Sequence, residues 1–431
     1  MSLVNFVVDP VFVTLDIEKP TAGGRMLARH NGQIVLVWGA IPGERVRARV
    51  ERAGKGVLYA ETIEVLSTSA DRRDASADWR CGGNVLAHVS YPRQLQLKSE
   101  IIRDAFARIG RMPLATAPDV IGSPEHGYRM RARLHVRDGR IGFMREGSHD
   151  LCAVGPTGQM WPATTAWIET AQERLRRDRL TGLASIEIAE NIPASERACH
   201  LELEPATTAA PFAVLAGGGV TGLSAQVLDR RGVEQLSGTP VVSDVLHVGA
   251  DAGAGTLLLR RDARAFFQGN RFLLEQFVRL VSALVPDGPV VDLYAGVGLF
   301  GLALAARGAT DVALVEGDPI SGRDLEENAA PFSDRARVER SSVEDFVRAA
   351  TPSRDATFIV DPPRTGMSKE ALGGIVRCAP GRILYVSCDV ATLARDSRGL
   401  VDAGYSLEGV TGIDLFPNTA HVETVCTFHY R

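Results

Sequence analysis

Three short motifs in the last third of this 431-residue chain carry residue types that can do chemistry together. Asp361-Pro362-Pro363-Arg364 follows an apolar run at 357–360, and Ser387-Cys388-Asp389 follows another at 383–386. Both runs read as buried strands of a parallel sheet, and open sheets of that kind gather their ligands at the carboxyl ends of the strands. Cys388 is a soft nucleophile on a strand-to-helix turn, where the start of the next helix is expected to favour the thiolate. Two prolines stiffen the loop after Asp361 and lower the entropic cost of holding its carboxylate in one pose, ready to accept an N–H from a flipped base. Glu423 opens the final apolar run after Phe416-Pro417-Asn418-Thr419-Ala420-His421-Val422, which places it as a candidate general base, with His421 structural or a substrate contact. Singly, these would be a helix-capping Asp, an inert thiol and a surface carboxylate. Their convergence on one sheet is the stronger signal.

The same sheet carries a ligand loop. Asp292-Leu293-Tyr294-Ala295-Gly296-Val297-Gly298-Leu299 follows a strand and opens a helix, and Glu316 closes the next strand. The glycines allow a tight turn and close backbone approach, while Glu316 can accept both ribose hydroxyls of an adenosine. The third glycine of a dinucleotide fingerprint is not at its usual spacing. A carboxylate just before the loop repels pyrophosphate and attracts a sulfonium, so S-adenosylmethionine (AdoMet) fits better than NAD(P) or FAD.

The elements around these motifs fall into three regions, predicted at 1–68, 69–262 and 263–431. The first has short apolar strands separated by glycine turns, the pattern of a small OB-like β-barrel, with Arg45, Arg47 and Arg49 on one strand face. The second is α+β, with a helix over about 92–109 and another near 165–180. Within it, Tyr128, Met130, Ala132 and Leu134 alternate with Arg129, Arg131 and Arg133, predicting a half-buried strand with a guanidinium row able to track phosphates. From about 272 onward strands and helices alternate as in a doubly wound parallel sheet, with an antiparallel pair expected at its end. The fold class is therefore multidomain α/β: barrel, central α+β region and a Rossmann-like domain.

Charge is partitioned in the same way. The chain totals −4, which excludes a uniformly basic protein, yet residues 93–145 hold eleven Arg or Lys against five Asp or Glu. Only four of 48 basic residues are lysines, so nearly all positive charge sits on planar guanidinium groups suited to phosphate and to stacking. The six cysteines lack the spacing of a zinc site or a disulfide framework, and neither a signal peptide nor a membrane span is evident, so the reading is cytoplasmic.

Together with Tyr91-Pro92-Arg93-Gln94-Leu95, Lys98, Tyr128-Arg129-Met130-Arg131 and Phe266-Phe267-Gln268-Gly269-Asn270, these motifs make the chain resemble the RNA uracil-C5 methyltransferases that carry an N-terminal TRAM domain, of the 23S rRNA type. The resemblance spans nearly the whole length. It implies Cys388 as nucleophile and Glu423 as base; Gln268, Tyr294, Gly296, Gly298, Glu316, Ser342 and Asp361 at the cofactor; and Arg129, Arg131, Arg133, Phe267 and Arg364 on RNA. It implies AdoMet as cofactor, a monomer, and RNA as partner, with ribosomal RNA favoured over tRNA by the barrel. A non-catalytic RNA-binding protein or chaperone with a degenerate methyltransferase domain would tolerate loss of Cys388 or Glu423, and both are present. Two positions depart from the family pattern. Where many members place four cysteines for an iron–sulfur cluster this chain has Ala75, Cys81, Asn84 and Cys152, so no cluster is expected and the two cysteines are expected to pack as small apolar side chains. Leu299 stands where an asparagine is common.

Overall fold

The computed structural model describes residues 11–74, 78–145, 147–249 and 255–431. Position 75, one of the cluster positions above, lies outside them. The N-terminal strands β1 (Phe12–Pro20), β2 (Met26–His30), β3 (Gln33–Trp38), β4 (Arg45–Gly54) and β5 (Val57–Ser67) close into a barrel in the order β1-β2-β3-β5-β4. Alternation drives closure: Val13, Leu15 and Ile17 of β1 and Val46 and Ala48 of β4 point inward and are buried. Val85, Leu86, Val89 and Leu97, from beyond the barrel, complete its core.

Next come α1 (Tyr91–Arg108) and the two-residue β6 (Val120–Ile121). A seven-stranded sheet then forms from β7 (Arg131–Arg137), β8 (Arg140–Met144), β9 (Leu151–Ala153), β10 (Leu183–Glu190), β11 (Arg197–Leu203), β12 (Gly222–Val227) and β13 (Glu234–Gly238), ordered β13-β12-β11-β10-β7-β8-β9. Helix α2 (Pro162–Arg177) covers one face through Trp167, Ile168, Ala171 and Leu175. The hairpin of β14 (Val241–His247) and β15 (Thr256–Asp262) leads into the last region.

That region contains α3 (Leu274–Ala283), β16 (Val290–Leu293), α4 (Leu299–Ala306), β17 (Val312–Val315), α5 (Pro319–Ala329), β18 (Ala336–Glu339), α6 (Val343–Ala349), β19 (Thr357–Val360), α7 (Lys369–Cys378), β20 (Arg382–Ser387), α8 (Val390–Asp402), β21 (Tyr405–Ile413) and β22 (Glu423–Tyr430). Its sheet runs β18-β17-β16-β19-β20-β22-β21-β6. Strands β16, β17 and β19 are buried at every position, as a parallel sheet covered on both faces requires. The sequence direction reverses between β16 and β19, which creates the crevice where such sheets bind ligands. The antiparallel pair expected at the end is β21–β22.

The packing gives two segments of the predicted middle region to this last one. Helix α1 shares its buried face, Ile101, Ile102, Ala105 and Phe106, with α8 and the catalytic sheet, and β6 pairs with β21 as the sheet's edge strand. Leu246, Val248, Leu257 and Leu259 of the β14–β15 hairpin join the core around α3 and α4.

Candidate active site

Cys388 and Glu423 are brought together by strand register. Strands β20 and β22 are antiparallel with Ser387 opposite Thr424. Cys388 directly follows β20 and Glu423 opens β22, so the thiol and the carboxyl come to the same end of the sheet, near enough for the carboxyl to raise the thiol. Asp361 leaves the neighbouring strand β19 at the same end, and its N–H lies 3.4 Å from the Leu293 carbonyl of β16. Its Oδ2 accepts from Gln268 Nε2 at 3.3 Å. Asp361 and Arg364 lie close enough to Cys388 and Glu423 to influence the ionisation of both.

The electrostatics favour neutral forms. Burial pushes the Cys388 thiol up to about 12, with Glu423 and Asp361 adding to the shift and Arg364 opposing it. The expected thiolate is therefore not the resting form. The helix start is already occupied by Asp389, whose carboxylate accepts from the N–H groups of Ala391 and Thr392 at 3.0 and 2.9 Å. Glu423 is 2% exposed, and burial and the nearby Asp361 raise it well above the usual carboxylate range. Burial lifts Asp361 to about 7.

The glycine loop is shaped for close approach. Gly296 and Gly298 have φ of 59° and 98°. A Cβ on Gly298 would meet Leu302 at 2.4 Å, so this glycine serves helix packing, whereas a Cβ on Gly296 would enter open space. The Gly296 N–H donates to Glu316 Oε2 at 2.7 Å, and Glu316 Oε1 accepts from the Asp318 N–H at 2.6 Å. Asp292 is buried with Oδ2 on the Gly301 N–H at 2.8 Å and Oδ1 without a partner, and burial pushes its carboxyl up to about 7. An open cradle over Gly296, flanked by the Glu316 and Asp361 carboxyls with the under-satisfied Asp292 beneath, suits a cationic adenosine cofactor. Tyr294, at φ 62°, packs on the core on the opposite face of the sheet from α3 and α4. The Ser342 hydroxyl caps α6, accepting from the Asp345 N–H at 3.1 Å.

Two family models match the chain, a TRAM domain over residues 12–63 and tRNA (Uracil-5-)-methyltransferase over 239–430. The chain is 31% identical over 452 residues to 23S rRNA (uracil(1939)-C(5))-methyltransferase RlmD of Halomonas elongata, covering 95% of this chain and 88% of the relative. It is 32% identical over 435 residues to the protein of the same name from Acidithiobacillus ferrooxidans, covering 96% of each. The chain belongs to the RNA uracil-C5 methyltransferase family. Its fold is also that of Pyrococcus abyssi tRNA (uracil-54, C5)-methyltransferase in complex with S-adenosyl-L-homocysteine, with a TM-score of 0.73 at 24% identity, covering 96% of this chain and 100% of that one.

In this uracil-C5 methyltransferase the residues expected on RNA divide. Arg364 is exposed beside the thiol. The arginine row on β7 and just before it is largely paired: Arg131 donates to Glu187 at 2.9 Å, Arg133 bridges Glu202, and Arg129 donates to Gln159 at 2.8 Å and lies over the rings of Phe143 and Phe416. Carboxylates on β10 and β11 thus neutralise the charge that the strand alone would present. In the barrel, Arg45, Arg47 and Arg49 do share an exposed face, opposite Asp16, Glu64 and Glu61. Phe267 is 5% exposed and stacked under Arg261 at 4.0 Å, so it is core; the aromatic that faces solvent is Phe266, 62% exposed, with Arg131 over its ring.

Cys81 and Cys152, expected as separate thiols, are joined in a disulfide with Cα atoms 5.9 Å apart, within the core of the central sheet. Asn84 is buried and contributes no thiolate. These residues do not fit a four-thiolate cluster. Among the described residues no group of three or more His, Cys, Asp or Glu is placed to hold a metal ion, and no helix is long and apolar enough to cross a membrane.

Several residues that build the site carried no assigned role in the sequence. Gln94, Lys98, Tyr128, Asn270 and Asp414 all brace the segment before Glu423. Polar types inside apolar helical or strand patterns were the available signal.

Proposed function

We propose that the protein methylates C5 of a uridine in 23S-type ribosomal RNA, giving 5-methyluridine, with Cys388 as nucleophile and Glu423 as base. The observation that carries this reading is the register that sets Cys388 against Glu423, with Asp361 and the Gly296 cradle at the same sheet end.

Carbon 5 of uracil is too weakly nucleophilic to take a methyl group unaided. Cys388 first gives up its thiol proton to solvent, then adds to C6 as the thiolate and pushes electrons toward C5. Gln268, Glu316 and Asp361 are the residues that would hold the cofactor, which when bound would supply an electrophilic sulfonium methyl for C5. Glu423, acting as the carboxylate once its own proton has passed to solvent, then takes the C5 proton, the C5–H electrons restore the C5–C6 double bond, and Cys388 leaves as thiolate. A thiolate suits both attack and departure. Arg364 is the positive side chain beside Cys388 and the one that favours its ionised form. A target base inside a helix must leave its stack to reach this buried site, which is cheapest in a loop or bulge.

The reading includes no iron–sulfur cluster, because Cys81 and Cys152 bond to each other and position 84 is Asn. It favours ribosomal RNA over tRNA on the relatives' names, which specify 23S rRNA. Mapping 5-methyluridine in RNA from cells with and without the protein tests it. Loss of one 23S site supports the proposal; loss confined to tRNA moves the substrate to tRNA, and no change in either overturns it.

A further inference from the structure

The loop 414–422, which ends at Glu423, is gripped from the other end of the chain. Asp414 is fully buried, bridged by the equally buried Lys98 of α1, and accepts from Tyr91 Oη at 3.0 Å. Lys98 Nζ also donates to the Phe416 carbonyl at 3.0 Å. Gln94, one turn earlier on α1 and fully buried, closes a reciprocal pair with Asn418: its Oε1 accepts the Asn418 N–H at 2.9 Å and its Nε2 donates to Asn418 Oδ1 at 2.9 Å. Asn418 has φ of 64°, in the left-handed region, so this pair fixes a backbone conformation that the loop alone would not favour. Arg73 reaches the same Oδ1 at 2.9 Å, and the Asn418 carbonyl accepts from the Leu86 N–H at 2.9 Å.

The barrel leans on this assembly. A Cβ on Gly24, in the turn before β2, would lie 3.2 Å from Ala420 and 3.0 Å from Val85, and Lys19 of β1 pairs with Asp104 of α1 at 2.5 Å. Helix α1 therefore stands between a candidate RNA-gripping module and the loop that carries the base. Apolar side chains of the same volume would fill this space without the desolvation cost of a buried Lys–Asp pair, and buried polar groups of this kind specify one geometry more than they add stability.

We propose that Gln94 and Lys98 are positioning residues for Glu423: through Asn418 and Asp414, α1 holds loop 414–422 in the pose that sets the carboxyl against the C5 proton. This rests on the reading of Glu423 as the base. Misplacing a catalytic group by about 1 Å can cost about 10²-fold in rate. The loss falls on one step, since breaking the Cys388–C6 bond requires the C5 proton to leave to Glu423 and the C5–H pair to re-form the double bond.

The test uses the full-length protein, AdoMet and an unmodified transcript of 23S-type rRNA. Gln94→Leu, which at similar volume removes both hydrogen bonds to Asn418 together with those to the Leu86 and Val89 carbonyls, should lower kcat by about 10²-fold with KM falling in step, so that kcat/KM stays within about twofold, and should accumulate a denaturant-resistant protein–RNA adduct carrying the new methyl group. Asn418→Gly keeps the backbone N–H and the left-handed φ while losing the side-chain partner, so it should show the same pattern to a lesser degree. Wild-type turnover in both variants overturns the proposal, as does lost turnover with no adduct in both. Glu423→Gln in the same assay separates the two claims. If it traps no adduct, the reading of the base fails; if it traps adduct and the Gln94 and Asn418 variants do not, only the positioning role fails.

Discussion

Asp292→Asn should make the cofactor-free protein more stable at pH 8, although the residue lies in the candidate cofactor site. Burial raises the Asp292 carboxyl from 3.8 to about 7 in the folded chain. Between those values the folded state holds a proton that the unfolded state has released. Stability is therefore fully present below about pH 4 and falls as pH rises, at up to about 1.4 kcal/mol per unit, until the folded group also ionises near pH 7. The full difference is about 4 kcal/mol, and the part lost between pH 5 and pH 8 is about 3 kcal/mol. Asparagine keeps an acceptor for the Gly301 N–H, bonded at 2.8 Å, and removes the ionisable group. Urea unfolding of both proteins without cofactor at pH 5, 6, 7 and 8 measures the gap. It should widen by about 3 kcal/mol in favour of the variant over that range, while AdoMet affinity drops through loss of the negative charge. Parallel curves across pH, or a variant less stable than wild type at pH 8, would refute the reasoning.

Gly296→Ala and Gly298→Ala should separate binding from folding. The first adds its Cβ to open space and should weaken AdoMet binding by at least about tenfold in calorimetry with a modest loss of melting temperature; the second drives a Cβ to 2.4 Å from Leu302 and should lower thermal stability by about 1–3 kcal/mol. Alkylation of Cys388 by iodoacetamide in the cofactor-free enzyme should rise about tenfold per pH unit from 7 to 10 without a plateau, because burial holds the thiol near 12; a plateau below pH 9 in peptide mass spectrometry would show the site to be more polar than described. Under denaturing, non-reducing conditions, alkylation should leave Cys81 and Cys152 unlabelled until a reductant is added, and labelling of both beforehand would show free thiols.

What could be read from the sequence was whatever depends on local pattern. Alternation and glycine turns predict the barrel, and short, mainly apolar runs predict β16, β17 and β19. The end-of-strand positions of Asp361, Cys388 and Glu423 then follow from topology. What remained hidden depends on long-range partners. The β7 arginine row carries no mark of the Glu187 and Glu202 that neutralise it from strands more than fifty residues away. Which of two adjacent aromatic residues is core was undecidable without Arg261, which covers Phe267 and leaves Phe266 exposed. Strand β6 is too short to show a period, and α1 shows an apolar face without saying that its target is α8 and the catalytic sheet. The protonation of Cys388 escapes local pattern for a related reason: a helix start favours a thiolate, but here burial beside two carboxyls outweighs it.

The central claim is that Cys388 forms a bond to C6 of a uracil in RNA. Incubating the protein with AdoMet and a 23S-type transcript containing 5-fluorouracil removes the C5 proton that Glu423 must take, so the adduct cannot resolve. The account predicts a denaturant-resistant RNA–protein complex whose crosslinked peptide contains Cys388, and none from Cys388→Ala. A complex that persists in the alanine variant, or one mapped to another residue, would contradict it.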